Sequence, residues 1–388
     1  MDNERYTRVM RNRRMALLLL TLACVIYPTL AAAQGAVTPD TVTIQKARVT
    51  GVSDEQNTII PGTNTPEQTQ TLQALVLDGP DSGTTISFKN DYIQLAVGDV
   101  FYLRHTTNAL DGSDYYTVSD PYRLSVLGIL LGAFILLIIL FGGIQGIRGF
   151  ASLCGSIVLI FYVLIPGILH GYSPIWISIG VSSLIIIAGS YITHGFNKTT
   201  SSAVLGMIGT VLLTGVGAYW AVHAAHLSGY SNETSVYLNF DTNGHIDMVG
   251  LLFGGIMIGL LGVLYDIAIG QAIAVEELFR AGVHMNRLQI YRRAIRIGRE
   301  HIGALVNTLA IAYVGAALPL LLLVQTSTYG FFYAINNELF ATEIVRILIG
   351  SIGLILGVPI TTLIATYILH GQKETLQKTE GHGHHHVH

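Results

Sequence analysis

The sequence predicts an α-helical polytopic membrane protein, with seven transmembrane helices, an N-terminal signal or anchor helix, and a small extracytoplasmic all-β domain. Three observations predict it. Hydrophobic residues make up 51% of the 388 and charged residues only 12%, where a soluble domain carries roughly a quarter charged. Apolar runs of about 20 residues recur from Arg123 onward, each long enough to cross a hydrocarbon core of roughly 30 Å. Between the first apolar run and these lies a polar stretch rich in β-branched residues and turn signals.

The N-terminus carries Arg5, Arg8, Arg11, Arg13 and Arg14, then an apolar run from Met15 to Ala33. Ala31-Ala32-Ala33-Gln34 has the small-residue spacing of a signal-peptidase site. The run is also long enough to stay as an anchor, so residues 1–34 read as a signal or anchor segment. The two cysteines, Cys24 and Cys154, both lie in apolar runs. The external domain therefore has no disulfide, and no thiolate metal site is available.

Residues 35–122 read as a domain of four to six short strands, a small barrel or sandwich. Thr71–Leu77, Thr84–Lys89 and Tyr92–His105 are the expected strands, with turn chemistry at Asp78-Gly79-Pro80, Gly98-Asp99 and Asp111-Gly112. The polar stretch Ser53–Gln70 reads as a long loop. Spans are expected at Leu124–Phe141, Ala151–Leu169, Pro174–Ile192, Ser201–His223, Met248–Val275, Ile302–Val324 and Ile344–Leu369, within a helical domain of residues 123–370. Placing the β domain outside puts the N-terminal arginines, Arg148, Lys198, the Arg280–Arg299 loop and a tail of residues 371–388 inside. Of the 21 lysines and arginines, only Lys46, Arg48, Lys89, Arg104, Arg123 and Arg346 then fall elsewhere, as the positive-inside rule requires. The cell membrane is thus the expected location and the lipid bilayer the first partner. No basic surface interleaved with aromatics points to nucleic acid.

Gly255, Gly259, Gly262, Asp266 and Gly270 are three or four residues apart and share one helical face. Gly303 and Asn307 open a similar stripe in the next span, and Arg346, Gly350, Gly353 and Gly357 a third. Such stripes let helix backbones approach closely, because lipid provides no hydrophobic drive for packing. Asp266 stands out, since a carboxylate in hydrocarbon costs several kcal/mol on most scales. Either it reaches interfacial water near a helix end, or it is a proton or cation site. On the second reading Gln271, Glu276 and Glu277 help the site. Glu277 lies three turns along the same face, so that it and Asp266 line one inward-opening path, and Asn307 reaches Asp266 at similar depth to hydrogen-bond it. Arg346 either snorkels to the interface or pairs with Glu343 or Asp247. In the tail, His382, His384, His385, His386 and His388 either offer imidazoles to a divalent metal or form a solvated terminus. No phosphate loop, zinc helix or activated nucleophile is present. No enzymatic activity and no cofactor are therefore expected.

Read in order, the membrane half resembles the YibE/F family of bacterial membrane proteins. The carrying segments are Gly195-Phe196-Asn197-Lys198-Thr199, Gly259 through Ala268, Gly298-Arg299-Glu300-His301-Ile302-Gly303, and Asn307 through Gly315 with Leu318-Pro319-Leu320. Gly98-Asp99-Val100, Asp120 and Arg123 extend the likeness upstream, so that it takes in nearly everything after the signal segment. Glu300 stands where the family pattern has Asp. The resemblance implies a membrane protein of uncharacterised function, often regarded as a candidate transporter, and brings no defined activity. Two functions follow. One is a transporter or permease for a small solute or ion. The other is a non-transporting envelope scaffold whose extracytoplasmic domain binds a protein partner.

Overall fold

The computed structural model describes residues 40–59, 62, 66–282, 284–326 and 330–381. The N-terminal segment and the tail histidines lie outside them. The chain divides into two compact units, with the boundary between Gly132 and Ala133.

The first unit is an antiparallel half-barrel of five strands. These are β1 (Thr41–Ile59), β2 (Pro66–Val76), β3 (Thr85–Asn90), β4 (Val100–Thr107) and β5 (Asp114–Pro121). They are ordered β3-β2-β1-β4-β5, and the edge strands β3 and β5 approach one another. Period-two alternation turns Ala47, Val49, Leu72, Ala74, Val76, Phe88, Phe101, Leu103 and Val118 inward to one core. Strand β1 serves two partners, pairing β4 through Thr41–Arg48 and β2 from Ala47 onward. Register shifts between Val49 and Gly51 and between Ser53 and Gln56 accompany this, since an extra residue bends a strand and raises its twist.

Two expectations are corrected. Most of Ser53–Gln70 is not a loop: Ser53 pairs with Thr71, Asn57 with Gln68 and Ile59 with Pro66. The paired residues on this arm are largely polar and exposed, so its backbone ladder leaves no alternation in the sequence. Nor is Tyr92–His105 one strand, because β4 begins only at Val100. The residues before it form a loop that drops Leu95 into the core. Gln70 Nε2 holds that loop at Leu95 O (3.3 Å), and Asn90 Nδ2 at Ile93 O (2.7 Å).

The second unit is helical, and the start of its first helix falls in the last residues of the first unit. Helix α1 (Leu124–Leu159) contains a break at Gly143, where φ is 53°. The chain doubles back there: the Phe134 and Phe150 rings lie 6.3 Å apart, and a Cβ at Gly146 would stand 2.6 Å from Ile138 O. In a straight helix those phenylalanines would be about 24 Å apart at 1.5 Å per residue. Glycine tolerates the positive φ that the reversal demands. A π-helical turn, Ile160–Leu164, leads into α2 (Ile165–Leu169).

The bundle continues with α3 (Pro174–His194), α4 (Lys198–Ala224), α5 (Glu233–Asp241) and α6 (Met248–Ala281). Then come α7 (Arg287–Ala316), α8 (Leu318–Thr326), α9 (Phe331–Asn336) and α10 (Glu338–Gly381). Among the described residues five helices are long and apolar enough to cross a membrane, or six if the bent pair α7–α8 counts as one span. The expected span Ile302–Val324 is therefore not straight, since α7 and α8 meet at 64°. Pro319, second in α8, lacks the N–H that would continue α7. Much of the expected Arg280–Arg299 loop is also helix. Asn286 and Gln289 form a capping box at its start. Ile290, Ala294 and Gly298 then bury one stripe amid the arginines.

Helices α3, α4, α6 and α10 enclose the core, where Met207, Val211, Ile256, Met257, Leu260, Leu264 and Leu354 are almost wholly buried. The closest crossing is α4 on α10. A Cβ at Gly206 would lie 2.8 Å from Thr361 Cα, and one at Gly353 2.8 Å from Thr214 Oγ1. Ser202, Gly206, Thr210, Thr214 and Ala218 supply the small face of α4, and Gly353, Gly357, Thr361 and Ala365 that of α10.

Candidate functional site

Asp266 sits on the open face of α6 and has no hydrogen bond or ion pair among the described residues. Gly255, Gly262 and Gly270 share this face, and a Cβ at any of them would meet open space. Gly303 on α7 is equally unobstructed. A Cβ at Gly259 would instead meet the Tyr313 hydroxyl, one at Gly350 would stand 3.1 Å from Leu309 Cδ2, and Gly353 packs on Thr214 and Leu260. The third stripe thus lies within the bundle, whereas most of the first faces outward from the chain.

The residues expected around Asp266 are not brought to it. Gln271 is buried, and its Nε2 donates to Ala294 O on α7 at 2.7 Å. Gly298 makes room for it, since a Cβ there would stand 2.8 Å from Gln271 Oε1. Five residues on, Gln271 is rotated about 140° around a helix of 3.6 residues per turn, so it braces α6 to α7 and turns away from Asp266. Asn307 is exposed on α7 and makes no hydrogen bond to Asp266. Glu277 is exposed and receives Arg280 Nη1 at 3.4 Å.

Glu276, not Glu277, anchors the polar end of α6. Its carboxylate accepts from Thr199 Oγ1 and from Arg280 Nη2, both at 2.6 Å. These groups line a recess of about 340 Å³ with His194, Asn197 and Lys198. Arg346 resolves to pairing: Nη1 lies 2.9 Å from Glu343 Oε1, and the guanidinium carbon sits 5.9 Å from the centroid of the Tyr313 ring. Asp247, the other candidate partner, instead caps α6 through Gly250 N at 3.0 Å.

Beside the Asp266 face, sharing Gly262 with it, a cleft of about 330 Å³ opens between α1, α3 and α6. Ser152, Ser156, Thr193 and Tyr265 supply its hydroxyls. Tyr265 Oη donates to Gly189 O (3.2 Å), Ser156 Oγ to Ser152 O (2.9 Å), and Gln145 Nε2 to Thr193 O (3.1 Å). Gly189 permits the approach, since a Cβ would stand 2.7 Å from Ser152 Oγ. Sequence reasoning passed over these hydroxyls because isolated Ser and Thr in apolar runs usually satisfy themselves on the preceding turn.

The family model for YibE/F-like proteins matches residues 130–371. The chain belongs to that family. No curated protein and no solved structure matches it. The YibE/F-like region begins within the first limb of α1 and ends in α10, so it holds both Asp266 and the hydroxyl cleft. Gly98-Asp99-Val100, Asp120 and Arg123 lie upstream of the matched residues. With its long apolar helices, this YibE/F-like chain is a membrane protein.

Proposed function

We propose that this YibE/F-like protein is a transporter or permease of the cytoplasmic membrane, with Asp266 as its proton- or cation-exchanging group. The observation that carries the reading is the unpartnered carboxylate on a span, one face away from a hydroxyl-lined cleft. A carboxylate in hydrocarbon costs several kcal/mol, which a proton, a cation or a polar partner offsets. Because none of the described residues does so, exchange of a proton or cation at Asp266 changes the charge of the span itself. The reading takes seven passes: two limbs of the α1–α2 hairpin, α3, α4, α6, the bent α7–α8 pair and α10. The arginine-rich start of α7 is then cytoplasmic and the half-barrel extracytoplasmic, following the positive-inside rule.

The test compares the metal and metabolite content of cells lacking the chain with cells carrying the wild type or Asp266→Asn. On the transporter reading the variant reproduces the content of the deletion strain while inserting at normal levels. Wild-type content with Asp266→Asn, or no change on deletion, would refute it. The competing reading, an envelope scaffold with a protein partner, draws on the outer face of the half-barrel. There Val42 and Ile44 of β1 and Tyr115 of β5, the strand on the far side of β4, are each about half exposed.

A further inference from the structure

We propose that His105 is a proton-operated latch that ties the β2–β3 turn to strand β5 when both its ring nitrogens carry a proton, and frees the β5 end when one is lost. The latch belongs to the half-barrel and does not depend on the role given to Asp266. Nδ1 lies 2.9 Å from Asp81 Oδ2 in the β2–β3 turn, and Nε2 lies 2.9 Å from Asp114 Oδ1 at the start of β5. A carboxylate only accepts, so each contact needs an N–H on the ring, and only the imidazolium has two.

The surroundings are built for that ion. From β1, Gln45 Nε2 donates to Asp81 Oδ2 (2.8 Å), and from β4, Thr107 Oγ1 donates to Asp114 Oδ1 (2.7 Å). The Tyr116 ring of β5 stacks on the imidazole with centroids 4.5 Å apart. The titratable groups facing His105 are therefore Asp81, Asp114 and Tyr116, and no lysine or arginine bonds to the cluster among the described residues. Burial draws the imidazolium down, but the hydrogen bonds and charges of Asp114 and Asp81 outweigh it, so His105 titrates above its ordinary 6.5. The bond to His105 in turn holds Asp114 below the usual carboxylate range.

A raised folded pKa contributes stability that is complete below the ordinary imidazole range and is lost as pH rises through the folded value. The departing proton goes to solvent. Asp114 is the more exposed partner, 47% against 29% for Asp81. The neutral ring therefore keeps its proton toward Asp81, and the Nε2 lone pair then faces the Asp114 carboxylate. That contact opens. It sits at the last register pair of the β4–β5 ladder, Thr107 with Asp114, beside the turn closed by Asn108 N to Ser113 O at 2.9 Å.

Hydrogen exchange of the full chain in lipid nanodiscs, between about pH 6 and about pH 9 to bracket imidazole titration, tests this. After correction for intrinsic exchange, peptides over residues 107–116 are expected to lose protection several-fold as pH rises, while the β1–β2 ladder keeps its own. His105→Gln, with one donating group, exchanges fast at both ends with no step. Asp114→Asn keeps the fold but moves the step to lower pH, because the amide no longer holds the imidazolium. A wild type without a step, a step surviving in His105→Gln, or an unmoved step in Asp114→Asn would each overturn the latch.

Discussion

Replacing Gly206 by Ala presses directly on the crossing that holds α4 against α10. The new Cβ would lie 2.8 Å from Thr361 Cα and 2.9 Å from Thr361 Cβ, besides touching the Thr361 hydroxyl. Backbone cannot rotate aside, so the helices must separate, and Thr214 against Gly353 farther along the crossing must separate with them. Overpacking of this kind costs about 1–3 kcal/mol. Ala also gains about 1 kcal/mol over Gly in helix propensity, which would hide part of the loss. Gly262→Ala removes the ambiguity. It carries the same propensity gain but meets open space, so the difference between the two variants isolates the crossing. On the scale of about 2–4 °C per kcal/mol for soluble chains of comparable size, Gly206→Ala should melt several degrees below Gly262→Ala. Tryptophan fluorescence in detergent reads this out, since Trp176 and Trp220 lie in α3 and α4. Equal melting temperatures would refute the close approach of the two backbones.

Gln271→Leu keeps the volume but removes the donor to Ala294 O, and should cost about 1–2 kcal/mol, measured as a lower melting temperature. Asp266→Asn should melt like the wild type, because no bond among the described residues is lost, and any functional loss then belongs to the charge. With Cys24 and Cys154 replaced by Ser, an impermeant thiol reagent applied to intact cells should label Leu110→Cys, 85% exposed in the β4–β5 turn. It should spare Arg292→Cys at the start of α7, and equal labelling of the two would refute the proposed topology.

Membrane residence, the helical class and the places of most long apolar helices were legible in the sequence, because an apolar run of bilayer length fits little besides a membrane span. The third glycine stripe was legible too, and Gly353 and Gly357 do meet α4 and α6. Which stripe packs inside the chain was not legible, since a glycine row has the same spacing whether it meets a helix or nothing. Only the rotation of α6 about its own axis decided that Gln271 turns in toward α7 and Asp266 turns out. The half-barrel divides in the same way. Inward alternation marked β2 and β3, whereas the polar arm of β1 is held by backbone pairing that leaves no pattern in side chains. The His105 cluster joins residues from β1, the β2–β3 turn, β4 and β5. Their distances along the chain carry no signal, and only the tertiary structure places two carboxylates on the two nitrogens of one ring.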